Sequence, residues 1–447
     1  MTPAAPTPLP RLTAVRGEIV HFVADPAQDA RALEHFADGL LVVRDGHVAE
    51  CGPATELLPR LPAGTPVADY RGKLILPGFV DTHVHYPQTD IIASHGEQLL
   101  EWLEKYTFPA ERRFADPAHA AATADFFCDE LLRNGTTTAC SFATVHAGSV
   151  DALFEAAQAR RMRMIAGKVL MDRNCPEDLR DSAASGYAES KALIERWHGR
   201  DRLHYAITPR FAPTSTPAQL SLAGRLFAEH PGVFVQSHVA ENRAEVAWVA
   251  QLHPETRSYL DVYDRHGLLG MRAVYAHCIW LDDTDRRRMA ESGAAMSFCP
   301  TSNLFLGSGL FDLGRARALG VRVGLGTDVG AGTSLSMLQT LNEAYKVLQL
   351  AGQSLSASSA FYLATLGGAH SLYLDDRIGN FAAGKEADFV VLDPQATPLL
   401  ARRSAACATL EERLFALMML GDDRAVAATH VLGAAAWLRT PDPSARR

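Results

Sequence analysis

The chain has no stretch of about 18 apolar residues, the length that a bilayer-spanning helix needs, so no membrane span is expected. Cysteine is scarce. Seven residues, Cys51, Cys128, Cys140, Cys175, Cys278, Cys299 and Cys407, include no C-x-x-C pair. An odd count without paired spacing argues against a disulfide framework or a cysteine zinc knuckle. It suits reduced, mostly buried thiols in a cytoplasmic protein. Basic charge is also short: 43 Lys and Arg stand against 51 Asp and Glu, for a formal net charge of -8. That excludes the basic surface a nucleic-acid partner requires and disfavours an anionic membrane surface. Residues 1–11 alternate Pro, Ala and Thr without a basic start followed by an apolar stretch. A secretory leader is therefore not expected, and residues 1–10 read as a flexible tail.

What is present is a chain of ordinary globular composition, 447 residues with 47% hydrophobic and 21% charged. At roughly 150 residues per domain, length alone suggests about three domains. The pattern of strands and helices suggests another division. Residues 40–52, LLVVRDGHVAECG, place two apolar runs either side of Asp45-Gly46, a strong hairpin signal. A second β-rich segment covers residues 387–393 and 429–432 near the other end. Between them eight β-type runs alternate with helix-type runs: 79–85, 136–141, 162–169, 203–207, 233–238, 272–277, 295–298 and 322–326. Helix starts are marked by Asp116-Pro117 and Thr216-Pro217, and a stop by Asn134-Gly135. The expected fold class is α/β: a (β/α)₈ TIM-type barrel with a small β-sandwich module formed from both chain ends. The expected boundaries are 11–76 and 381–447 for the module and 77–380 for the barrel.

Chemistry-bearing residues sit at the ends of these runs. The first ends Asp81-Thr82-His83-Val84-His85. Residues two apart on a strand share a face, so His83 and His85 aim at one point, as a metal requires. With 17 histidines in the chain, that pair alone reads equally well as chance. The other runs change this. The fifth delivers His238 with Glu241 just beyond, the sixth His277 and the eighth Asp328. Catalytic groups of such barrels gather at the C-terminal ends of the strands, and packing gives no reason for four strands to end in ligand-type residues. His277 alone still reads as a core histidine. Three histidines and a carboxylate suit Zn²⁺ with a water completing the site, and Fe²⁺ accepts the same ligands. Bound Zn²⁺ lowers the pKa of its water from ~15.7 to ~7. Attack on an unsaturated carbon then needs a proton shuttle, and Glu241 is placed for it. An acidic residue there also suits the first turn of a following helix.

These motifs resemble the amidohydrolase superfamily, in particular its mononuclear aromatic deaminases. The matching pieces are PGFVDTHVH (77–85), HVAEN (238–242), AHC (276–278), CPTSNLFLGSG (299–309), GLGTD (324–328) and IGNFAAGKEADFVVLD (378–393). HVHYPQ (83–88) and TPRFAPT (208–214) resemble its guanine deaminase branch. The resemblance implies one Zn²⁺ held by His83, His85, His238 and Asp328, and proton handling by Glu241 and Asp328 with His277 orienting the water. It implies substrate contacts from Gln88, Arg210 and Phe211, and at the centre from His85, His238, Glu241 and Asp328. Binuclear members carry a modified lysine at the end of the fourth strand. Arg210 stands in that region, which favours one metal, and Lys168 is left a structural role. The implied reaction is hydrolysis of guanine to xanthine and ammonia, in purine catabolism, by a homodimer. A different purine, a pterin or a triazine-like ring is the alternative substrate, and a non-catalytic scaffold the remote alternative. The P-C-x-x-C half of the cytidine-deaminase signature is missing.

For guanine the residue types make chemical sense. O6 and N7 are adjacent acceptors that an arginine fork matches, as Arg210 offers, although an arginine there also suits an ion pair with a nearby carboxylate. Gln88 brings a donor and an acceptor. Phe211 reads either as a stacking partner or as packing at the barrel mouth. The segment 299–310 reads equally as a mobile lid or a fixed loop, and Cys278 is the thiol to watch beside His277.

Overall fold

The computed structural model describes residues 9, 11–29, 31–96 and 98–440. Apart from Leu9, the expected tail lies outside the described residues. Four strands open the chain: β1 (Leu12–Phe22), β2 (Leu33–Arg44), β3 (His47–Pro53) and β4 (Val67–Pro77). The barrel strands follow as β5 (Phe79–His85), β6 (Thr136–Phe142), β7 (Arg163–Gly167), the short β8 (Val169–Leu170), β9 (Leu203–Pro209), β10 (Phe234–Val239), β11 (Ala273–His277), β12 (Ala295–Phe298) and β13 (Arg322–Leu325). Then come β14 (Phe389–Leu392), β15 (Val426–Val431) and β16 (Ala434–Leu438).

All eight β-type runs read from the sequence are barrel strands, joined side by side in parallel from β5 round to β13. The third run breaks at Lys168 into β7 and β8. The ring closes where Asp328 N–H donates to the His83 carbonyl at 2.9 Å and His85 N–H to the Val329 carbonyl at 2.8 Å. Each strand sends alternate side chains inward. Val80, Cys140, Ile165, Ala206, Phe234, Val274 and Ala295 form one buried cluster, one residue from each of seven strands. This layer fills the barrel below the histidines. Outward residues such as Met164, Tyr205, Val235 and Tyr275 belong to the large core cluster. The helix over Pro117–Arg133 starts where Asp116 accepts from the Ala118 N–H and ends at Asn134, with Gly135 at φ 83°. Among the described residues, no helix is long and apolar enough to cross a membrane.

The chain ends meet in one seven-stranded sheet, ordered β16-β15-β14-β4-β1-β2-β3 and antiparallel except for β1–β4. Asp45 (φ 50°) and Gly46 (φ 82°) make the hairpin turn between β2 and β3, as that dipeptide favours. The sequence reading did not resolve β1, β4 or β16, nor the helices Pro398–Ala405 and Leu410–Leu420 in the C-terminal segment. The second of these packs on the helix Met337–Leu350, with Phe415 edge-on to Tyr345.

Buried charge fastens this sheet to the foot of the barrel. Glu386 accepts from Arg202 at 2.7 Å and from Arg163, whose guanidinium is 2% exposed, while Arg202 also bonds Asp388. Removing Glu386 takes the carboxylate partner from buried Arg163 and leaves Arg202 with Asp388 alone. Glu386→Ala is expected to destabilise the fold by about 3–5 kcal/mol, read as a lower denaturant midpoint, whereas a change below 1 kcal/mol would show that the network is dispensable.

Candidate active site

Extended backbone at the end of β5 points both His83 and His85 into the barrel mouth. His83 Nε2 and His85 Nε2 lie 3.2 Å apart, and His85 Nε2 and His238 Nε2 also 3.2 Å. Asp328 Oδ1 stands 3.2 Å from His83 and 3.3 Å from His85. Donors about 2.0–2.1 Å from a tetrahedral Zn²⁺ are ~3.3 Å from one another, so the four spacings fit one such ion. The chemistry of the donors fits as well. Burial pushes His85 down to about 3 and His238 well below the ordinary histidine value, helped by the neighbouring imidazoles. Both rings are therefore neutral, as metal ligands must be. His238 Nδ1 sits 2.7 Å from the Arg210 carbonyl, which places the ring proton there and leaves Nε2 free as a donor. At Asp328 burial opposes ionisation, but the imidazoles of His83 and His85 outweigh it and hold the carboxyl well below the usual range.

The supports explain the local sequence. Asp81 accepts from Thr327 Oγ1 at 2.5 Å and from the Thr327 and His83 amides, tying β5 to the GLGTD turn. A Cβ on Gly326 would come within 2.9 Å of His83 Cβ, so only glycine lets that strand pass behind the ligand. Phe142 forms an apolar floor 4.6–5.2 Å from the rings of His83, His85 and His238. Ala240, His277 and Asp328 have φ of 51°, 68° and 52°. Such left-handed backbone costs about 1–3 kcal/mol per residue and recurs at functional sites; here it turns the strand ends so that their side chains converge.

A second group adjoins the first. His277 Nε2 lies 3.4 Å from Glu241 Oε2 and 3.7 Å from Asp328 Oδ2. This Nε2 is buried without a hydrogen-bond partner among the described residues. His277 Nδ1 is held 2.8 Å from Asn303 Oδ1. Burial, reinforced by the negative charge of Asp328, pushes Glu241 up to about 8, against a 2.8 Å hydrogen bond from Ser308 Oγ. Glu245 is pushed up to about 7, by burial first and by Glu241 second. Its Oε2 accepts the Glu241 N–H at 2.9 Å and its Oε1 the Tyr259 hydroxyl at 2.7 Å, closing a capping box with Asn242.

Both groups open on a cleft of about 450 Å³. Gln88, Arg210 and Phe211 line it together with His85, His238, Glu241, His277 and Asp328. Leu99, Trp102, Leu103 and Leu306 give it an apolar wall. Gln88 Oε1 accepts the Gly330 N–H at 3.1 Å. Phe211 meets the Trp248 ring at 69° and 6.2 Å. Arg210 has the carboxylate partner that was the plainer reading of it, since Nη1 reaches both oxygens of buried Glu111 at 2.8 and 3.0 Å. It nonetheless lines the cleft.

The structure thus brings together every residue singled out from the sequence as a ligand, proton carrier or substrate contact. Lys168 stays apart, paired with Asp181 at 2.6 Å. The sequence reading assigned no role to Asn303 or Ser308, although both lie in the quoted CPTSNLFLGSG motif, and it missed Glu111, Trp102 and Phe142, which lie outside every quoted motif. Cys278 turns back toward the Tyr275 carbonyl, whereas Cys299 groups with His277 and Asp328, ligand atoms within 4.8 Å. The segment 299–310 holds the helix Pro300–Phe305, and its Ser308 carbonyl accepts from Trp280 Nε1 at 3.0 Å.

Known proteins are similar to this chain over nearly its whole length. Guanine deaminase of Escherichia coli (strain K12) is 56% identical over 425 residues, covering 94% of this chain and 97% of that protein. A solved structure of E. coli guanine deaminase matches with a TM-score of 0.94 and 55% identity, covering 96% of this chain and 100% of that one. The crystal structure of guanine deaminase from C. acetobutylicum with bound guanine in the active site matches at 0.86 and 30% identity, covering 95% and 99%. The family model described as the amidohydrolase family spans residues 74–435, from the end of β4 through the whole barrel and back into the module. With that span and the strand-end cluster in hand, the chain belongs to the amidohydrolase family.

Proposed function

We propose that this chain hydrolyses guanine to xanthine and ammonia, with one Zn²⁺ per subunit held by His83, His85, His238 and Asp328. One observation carries the reading: a single cleft sets the donor cluster and Glu241 opposite Gln88 and Arg210. The relatives' names, at 56% identity in the first case, support the substrate. We further propose a cytoplasmic homodimer in purine catabolism, with no nucleic-acid partner, in which residues 11–76 and 381–447 form one module beside a barrel of 77–380.

Zn²⁺ bound there supplies a water acidic enough to act as nucleophile at neutral pH. The chain's residues do the rest. Arg210 donates toward O6 and N7; adenine shares N7 but puts an amino donor where guanine has O6. Gln88, its amide fixed by the Gly330 N–H, meets the ring edge nearer the attacked carbon. Phe211 and Trp102 exclude water from the ring faces. Asp328 takes the proton of the attacking water. Glu241, held protonated at neutral pH by burial, delivers its proton to N3 and makes C2 receptive. His277, its Nδ1 fixed by Asn303, keeps Nε2 toward Glu241 and Asp328 and so orients the water between them. As the C2–N bond breaks, the proton collected by Asp328 goes to the 2-amino group, which leaves as ammonia, and the second proton of the added water returns to Glu241, leaving the C2 carbonyl of xanthine and the starting carboxyl.

Zinc-loaded protein is expected to release ammonia from guanine in a purine panel followed by absorbance. No release above that of a Glu241→Ala control would sink the reading. Arg210→Ala is expected to lower kcat/KM for guanine by about 100-fold, the cost of leaving a polar edge unpaired in a dry site. Retained guanine turnover in that variant would place the purine edge elsewhere.

A further inference from the structure

Two side chains hold Arg210 from behind, and both come from one short helix that no motif marked. Phe108 and Glu111 lie three residues apart on Phe108–Arg112, so they share a face. The Arg210 guanidinium carbon is 5.6 Å from the Phe108 ring centroid. Both hydrogen bonds to Glu111 use Nη1, at 2.8 and 3.0 Å. A fork-to-fork pair would occupy two nitrogens. Here Nη2 and Nε have no acceptor among the described residues, yet neither is among the sealed, unpartnered atoms, so that edge opens on the cleft. Glu111 itself is fully buried and does not line the cleft. Its Oε1 also stands 3.5 Å from Gln88 Nε2, on the side of that amide away from the Gly330 contact.

We propose that Glu111 is the positioning residue that sets purine selectivity: with Phe108 it fixes the Arg210 fork so that only the free edge meets the substrate, and it orients Gln88 as well. The inference rests on the guanine reading of the cleft. One carboxylate neutralises a cation that would otherwise be buried alone, and it withdraws one nitrogen from substrate contact. The remaining donors demand acceptors at O6 and N7. A ring with hydrogen at position 6, such as 2-aminopurine, forfeits one of those bonds while keeping the amino group at C2.

The test compares guanine with 2-aminopurine in zinc-loaded wild-type, Glu111→Gln, Glu111→Asp, Arg210→Gln and the double variant. Glu111→Gln is expected to raise KM for guanine about 30-fold, the loss of one charge-assisted contact, with kcat within about threefold. KM for 2-aminopurine should move far less, so the selectivity ratio falls by nearly the same factor. Glu111→Asp should restore part of it. In the Arg210→Gln background, Glu111→Gln should cost nothing more, because the two act as a unit. Equal losses on both rings, or a full additional loss in the double variant, would overturn the proposal. Should Glu111→Gln fail to fold, the two-ring ratio in Glu111→Asp decides alone. If wild-type turns over neither ring, the guanine reading itself has failed. Xanthine retains O6 and N7, so unchanged xanthine affinity by calorimetry in Glu111→Asp would then also overturn the role of Glu111.

Discussion

Glu241→Gln is expected to lower kcat for guanine by about 10³-fold while leaving KM close to that of wild-type. Proton transfer by a positioned side chain contributes about 10²–10⁴, and the amide keeps the size and the Ser308 contact of the carboxyl while losing the proton. A parallel fall in kcat and kcat/KM would mark an interaction made in the transition state. Retention of more than a tenth of wild-type kcat would remove Glu241 from the mechanism. The same substitution has a stability signature in chelated protein. Glu241 is raised from its ordinary 4.5 to about 8. Below 4.5 both folded and unfolded chains hold the proton. Between 4.5 and about 8 only the folded state holds it, so stability falls as pH rises through that window, by about 1.4 kcal/mol per pH unit at most. Glu245, raised to about 7, adds to this fall in both proteins. The gap in denaturant midpoint between Glu241→Gln and wild-type is therefore expected to widen from pH 5 to pH 8. A constant gap would show that the carboxyl is not held protonated.

Metal removal is the second large effect. Dialysis against a strong chelator is expected to abolish ammonia release, and one equivalent of Zn²⁺ to restore it. The three imidazoles and Asp328 converge, so the stripped protein keeps four donor atoms 3.2–3.3 Å from their neighbours with no ion between them. Binding to the folded state alone also stabilises it by mass action, so the chelated protein should melt lower and Zn²⁺ should raise its Tm. His83→Ala is expected to show neither rescue. Turnover that survives chelation in protein proven metal-free would exclude the metal-dependent route.

Much of this site was legible before the fold was known, for a physical reason. A barrel strand has period two and a defined mouth, so His83 and His85, His238, His277 and Asp328 were placed by their positions at run ends alone. The eight runs fell within a few residues of the observed strands because buried parallel strands are short, apolar and bounded by turn residues. The hairpin at Asp45-Gly46 needed only local backbone preference. By contrast β1 and β4 are long strands whose burial does not alternate, β1 being mostly buried and β4 exposed over its first half. They become strands by pairing with each other, β1 also with β2, and β4 also with β14, which is more than 300 residues away in the chain.

The sequence by itself determined which residue types converge at the barrel mouth, because strand alternation and the position of a run's end are local features. Tertiary structure alone decided how those groups are tuned and held. Glu241 is raised by burial and by Asp328, 87 positions on. Arg210 is aimed by a carboxylate 99 residues before it. Cys299, not Cys278, joins the cluster because the left-handed turn at His277 and Cys278 sends the latter's thiol away. Desolvation, charge pairing and side-chain aim depend on which segments meet in space, and no local pattern records that.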